Sequence, residues 1–129
     1  MATIKRFEDI QAWQDGCKLA IMIYNLTKSS GLSKDHGLKE QIQRAAVSVS
    51  SNIAEGFARS GNKEFVNFLW IAKGSAAEVQ SQLYIAKEIG YITEEEFHDG
   101  YKLAEYCSII IYKLIKSIRS SPLKGHRYT

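Results

Sequence analysis

A chain of 129 residues with 45% hydrophobic and 24% charged residues has enough apolar content for one conventional core and no room for a second independent domain. The 17 Lys and Arg against 14 Asp and Glu leave only a small positive balance, which excludes a strongly polyanionic or polycationic chain. The one proline, Pro122, leaves the first 120 residues free of the strongest helix breaker, so long helices are permitted.

The N-terminus carries no unbroken apolar segment of the secretory type, and the longest apolar run, Leu19 to Tyr24, is far too short to span a bilayer. A cytoplasmic protein with no membrane partner is expected. The first helix is signalled by Ile10, Trp13, Cys17, Ala20, Tyr24 and Thr27, an alternating three-four spacing that keeps one stripe on one side. It should stop at Ser29-Ser30-Gly31. Ser33 is the expected cap of a second helix, with Asp35 against the positive end of its dipole and Leu38, Ile42, Ala45, Val49 and Ile53 inside. Gly56 and the segment Arg59-Ser60-Gly61-Asn62 mark its end.

A third helix starts near Asn62, with Phe65, Leu69, Ala72, Ala76, Val79, Leu83 and Ala86 repeating for more than three heptads. Gly90 suits a left-handed C-cap, and Thr93 with Glu96 forms a capping box that opens the fourth helix. Phe97, Tyr101, Ala104, Cys107, Ile111, Leu114 and Ile118 carry the last inner stripe to about Ser120. The expected fold is all-α, an antiparallel up-down-up-down four-helix bundle over residues 1–120, with helices of roughly 23 to 28 residues and a basic polar tail at 121–129. Cys17 and Cys107 read as reduced core thiols, ahead of a disulfide or a metal site.

The third helix has a second apolar side. Trp70 lies about 200° around from Ala72, and Val66, Ala77 and Tyr84 share that side at seven-residue spacing. With the nearly all-apolar run in the first helix, this points to self-association, because contiguous exposed apolar area marks interfaces. Val66, Trp70, Ala77 and Tyr84 are therefore the expected oligomer interface.

Catalytic and metal chemistry find little support. Glu95 and His98 have the spacing of a di-metal carboxylate bundle, but no second copy exists, and an exposed acidic cap is the better reading. His36 with Glu40 is weaker, and His126 falls in the tail. Gln41, Arg44, Ser48, Asn52 and Glu55 form the richest polar cluster, yet Ser48 has no local base and Glu55 with Arg59 makes an ordinary ion pair. A register-fixing polar network is preferred there over a ligand site. No glycine loop cradles phosphate. No cofactor and no enzymatic activity are expected.

Charge placement is more informative. Residues 1–112 hold 12 basic and 14 acidic residues, while residues 113–129 hold Lys113, Lys116, Arg119, Lys124 and Arg127 and no acid. Such an end offers a footprint for an anion or a nucleic acid, with a merely solvated helix terminus as the alternative. On an ideal helix Lys113, Lys116 and Arg119 span about a third of the circumference, clear of Ile111, Leu114, Ile115 and Ile118.

The residues Phe7, Trp13-Gln14, Gln41 to Val49, Ser51-Asn52-Ile53-Ala54-Glu55-Gly56, and Phe65 to Ser75 with Glu78 carry a resemblance over about residues 4 to 118. The chain resembles the bacterial ribosomal-RNA intervening-sequence proteins, so called because members are encoded within insertions of large-subunit rRNA genes. The resemblance implies a four-helix bundle assembled as a ring, a homopentamer. It also implies kinship with accessory bundle proteins of diversity-generating retroelements, which look like nucleic-acid-binding partners of a reverse transcriptase. The resulting expectation is a homo-oligomeric, non-enzymatic nucleic-acid-binding accessory protein. A protein-interaction scaffold without a nucleic-acid role is the alternative.

Overall fold

The computed structural model describes residues 4–28, 31–59 and 61–120. Its helices are α1 (Gln11–Lys28), α2 (His36–Ala58), α3 (Asn62–Glu88) and α4 (Glu94–Arg119), with 3-10 turns at Phe7–Asp9 and Gly31–Ser33. No strand occurs among the described residues. Helix α1 packs on α2 and α4, and α3 packs on the same two from the other side. Because the connections are short, neighbours run antiparallel and the chain forms an up-down-up-down four-helix bundle. Among the described residues no helix is long and apolar enough to cross a membrane.

The α3 stripe from Phe65 to Ala86 is wholly buried as its spacing predicts. The helix ends where Gly90 takes a φ of 83°, a region that favours glycine. The Gly90 N–H donates to the Lys87 carbonyl at 3.0 Å and the Tyr91 N–H to the Ala86 carbonyl at 2.8 Å, so the last carbonyls are satisfied. Three residues on, the Glu96 N–H donates to Thr93 Oγ1 at 3.0 Å and the Thr93 N–H to Glu96 Oε1 at 2.9 Å. This is the expected capping box, and it starts α4.

Three local expectations are corrected. Asp35, not Ser33, caps α2: its carboxylate accepts from the Leu38 N–H at 3.1 Å and from the Tyr91 hydroxyl at 3.0 Å. The 3-10 turn places Ser33 too far upstream. The Leu38 bond, followed by the Tyr91 bond, holds the Asp35 carboxyl below its usual range. Beneath the same ring lies Gly31, where any Cβ would collide with Tyr91. This ties the α1–α2 and α3–α4 connections together.

Helix α1 is shorter than expected, 18 residues, because the Phe7–Asp9 turn precedes it. Its buried stripe is Ala12, Asp15, Gly16, Leu19, Ile23 and Thr27, about one residue out of phase with the expected one. Tyr24 is exposed, and Trp13, Cys17 and Ala20 are only half-buried. Small residues decide the phase. A Cβ on Gly16 would meet Val49 Cγ1 at 3.1 Å and the Ser50 backbone nitrogen at 3.2 Å, so α1 lies close against α2 along its glycine side. The bulky Trp13 instead packs edge-on against Phe7, ring centroids 5.2 Å apart.

Gly56 does not end α2 but sits inside it, buried. A Cβ there would stand 2.6 Å from Phe68 Cβ and 3.2 Å from Phe65 Cδ1, so it marks the closest approach of α2 and α3 near the Arg59–Gly61 connection.

Candidate functional site

The basic side chains of α4 do not stand alone. Antiparallel packing sets the last turns of α4 beside the first half of α3, so Trp70 meets Tyr112 with ring centroids 6.1 Å apart and planes tilted 56°. The Arg119 guanidinium rests over the Trp70 ring at 5.6 Å, and Lys116 Nζ over the Tyr112 ring at 5.8 Å. Trp70, Tyr112, Ser108 and Ile109 line a shallow groove of about 560 Å³, joined at its rim by Lys73, Lys113 and Lys116. Lys113, Lys116 and Arg119 are exposed, and Lys73 is half-buried. No acidic residue lines the groove.

Helix α4 is polarised along its length. Glu94, Glu95 and Glu96 lie in its first turn and Lys116 and Arg119 in its last, each favourable to the helix dipole. Lys124 and Arg127 lie outside the described residues. Lys73, Tyr112 and Ile109 were not singled out by sequence reasoning, which took each helix separately.

The residues expected at an oligomer interface divide. Val66 is buried within the protomer at 7% exposure, so it offers no interface side chain. Trp70 and Tyr84 are exposed but lean toward α4, Trp70 on Tyr112 and Tyr84 edge-on to Phe97 at 6.1 Å. Ala77 is exposed. Farther round the helix, Ile71 and Ile85 are each about half exposed. Gly74 stands mid-helix with nothing within 4 Å of a Cβ.

The polar cluster on α2 splits as well. The Ser75 hydroxyl donates toward Ser48 Oγ at 2.9 Å or the Ile71 carbonyl at 3.1 Å. Asn52 Nδ2 donates to Ser48 Oγ and to the Ser48 carbonyl, both at 2.8 Å. Ser48, Asn52 and Ser75 thus form a polar link between α2 and α3. Glu55 pairs with Arg59 at 3.0 Å and Arg44 with Glu40 at 3.3 Å. Gln41, Arg44 and Ser48 also line a groove of about 490 Å³ with Glu78 and Gln82. Gln82 Oε1 is buried there without a hydrogen-bond partner among the described residues.

Both cysteines are free thiols, Cys107 buried and Cys17 half-buried. Burial, then the negative charge of Asp15, pushes the Cys107 thiol up to about 12, so it stays protonated and unreactive. Asp15 itself is buried and accepts from Gln11 Nε2 at 3.3 Å. Sequence reading passed it over, because a lone carboxylate in a helix gives no signal of its burial. Glu95 and His98 are exposed, and His98 lies 3.9 Å from Asp99. Among the described residues no group of three or more His, Cys, Asp or Glu side chains is placed to hold a metal ion.

Residues 8–113 match the family model described as 23S rRNA-intervening sequence protein. The chain is also similar to a crystal structure of a protein of unknown function from the S23 ribosomal protein family of Bacteroides thetaiotaomicron VPI-5482. The two share 25% sequence identity and a TM-score of 0.74, over 81% of this chain and 98% of that one. No curated protein matches.

Proposed function

The chain belongs to the 23S rRNA-intervening sequence protein family, and from that membership we propose that it is a non-enzymatic, homo-oligomeric accessory protein that binds nucleic acid through the α3/α4 groove. The observation that carries the reading is the gathering of Lys73, Lys113 and Lys116 on one acid-free groove, with Arg119 over its tryptophan. Cations at such spacing neutralise consecutive phosphates and release their counterions.

Replacing Lys113, Lys116 and Arg119 together with Gln is the test. None of the three is buried, so helicity and oligomeric state should hold. Binding to RNA and single-stranded DNA should weaken, and the slope of log affinity against log salt should flatten by about 2 for each engaged subunit, at roughly 0.7 per phosphate. Unchanged affinity and slope would leave the basic end as a solvated helix terminus.

Self-association rests on the outer ridge of α3. Ile71, Gly74, Ala77 and Ile85 present apolar and small surface to solvent. A mid-helix glycine disfavours the helix by about 1 kcal/mol relative to Ala, and none of the described residues of the protomer requires one at 74. A neighbouring copy packed close to the ridge supplies the reason. Ile85 and Ile71 stand about 60° and 100° around the helix from Trp70, and Gly74 and Ala77 only about 40° and 20° from it, so the ridge adjoins the groove and a copy seated on its Ile71 and Ile85 side leaves the Trp70 ring open. Gly74→Leu should preserve the fold and shift the sedimentation mass toward the 14.6 kDa protomer. A wild-type mass already at 14.6 kDa at tens of micromolar would end the oligomer reading. A ring of five copies, as the family resemblance implies, would repeat the basic groove and add weak contacts through multivalency.

The second reading is a scaffold whose protein partner docks between α2 and α3. It is favoured by the unmatched Gln82 Oε1 in the polar groove with Gln41, Arg44 and Ser48, since buried polar groups are ordinarily paired.

A further inference from the structure

We infer that the α3/α4 groove takes an unpaired strand, its bases stacking on Trp70 and Tyr112, and discriminates against duplexes of equal charge. The inference rests on the nucleic-acid reading above and deepens it. Charge alone explains attraction to any phosphate backbone. It does not explain why the two rings lie exposed on the same groove as the cations, at 39% and 43% exposure.

The cations are parked on those rings. Arg119 covers Trp70 at 5.6 Å and Lys116 covers Tyr112 at 5.8 Å, contacts that are weak at an exposed site. A single-stranded nucleotide can replace both halves of such a contact at once. Its base takes the ring face, and its phosphate takes the released guanidinium or ammonium. Lys113 and Lys73, on either side of the groove, stay available to the flanking phosphates. A duplex can offer only the second half of the exchange, because its base faces are already stacked on one another. Every base has a π face, so the preference is for unpaired strands and carries little sequence selectivity.

The chain has two tryptophans, and Trp13 is packed on Phe7 away from the groove. Trp13→Phe therefore leaves Trp70 as the reporter. A uridylate oligomer should quench Trp70 emission in a salt-dependent titration, and a duplex with the same number of phosphates should bind more weakly with little quenching. Trp70→Leu, which keeps an apolar side chain, should weaken binding of the uridylate strand about tenfold and lower the duplex affinity far less. Tyr112→Leu should act in the same direction, which guards against a local folding defect in either variant. Circular dichroism should show full helicity in both.

The outcomes separate the two claims. Salt-dependent binding with equal affinity for strand and duplex, no quenching and no effect of Trp70→Leu overturns the stacking inference and leaves the nucleic-acid reading standing. Absence of salt-dependent binding to either probe overturns both.

Discussion

Phe65→Ala should lower the stability of the bundle by about 3–5 kcal/mol, out of a total on the order of 5–15 kcal/mol for a domain of this kind. Phe65 is fully buried, stands edge-on to Phe57 with ring centroids 5.9 Å apart, and has its Cδ1 3.2 Å from where a Cβ on Gly56 would be. It fills the space where α2 and α3 draw together, and helices joined at a short turn cannot collapse freely onto the void. Part of the loss is transfer of the ring to water, and part is the cavity left behind. Chemical denaturation followed at 222 nm should show the midpoint fall, with a melting temperature lower by about 10–20 °C. Phe68→Ala is the control. That ring is half-buried under the Arg59 guanidinium, 5.1 Å from its centroid, and its removal should matter far less. Comparable losses at the two positions would show that the core is not centred on Phe65.

The second large effect is expected at Gly56. Alanine is the better helix former by about 1 kcal/mol, so helix propensity alone says that Gly56→Ala stabilises α2. Packing says the reverse and should win. The new Cβ would lie 2.6 Å from Phe68 Cβ, an atom fixed to the α3 backbone that no side-chain rotation can move aside. The helices would have to part, and overpacking of this kind typically costs about 1–3 kcal/mol. A net destabilisation of about 1–2 kcal/mol is expected for Ala and about 3 kcal/mol for Val, both read as shifts in the denaturation midpoint. A gain in stability for Gly56→Ala would mean that α2 and α3 sit further apart than described.

These glycines show which parts of the fold were legible in the sequence. The α3 stripe, the Gly90 cap and the Thr93–Glu96 box each depend on residues within one helix or one turn, and each forms as its local pattern implies. The phase of α1 was not legible, because Leu19 to Tyr24 is apolar nearly all round, and what settled it was Gly16 against α2. Gly56 looked like a helix end for the same reason. A glycine that terminates a helix and one that admits a neighbouring helix are the same letter.

The groove lay between these extremes. Facing residues of an antiparallel pair lie equally far from the turn that joins them, and Trp70 and Tyr112 are each eighteen residues from the ends of their helices, Glu88 and Glu94. Their meeting follows from two helix boundaries that the caps mark, although helix by helix Trp70 and the basic arc are separate features. The burial of Asp15 had no such route. It depends on α1 facing Cys107 on α4, across a pair of helices remote in sequence.

The doubly capped turn between α3 and α4 also bears on how the chain folds. Gly90 and Tyr91 close one helix with backbone bonds, and Thr93 and Glu96 open the next, all within eleven residues of chain, Ala86 to Glu96. Little loop-closure entropy stands against forming this hairpin, and several orphan donors and acceptors of both termini are satisfied within the turn itself. Bundles whose contacts are this local fold in microseconds to milliseconds. The groove between α3 and α4 is thus built on two helices whose joining turn caps them both.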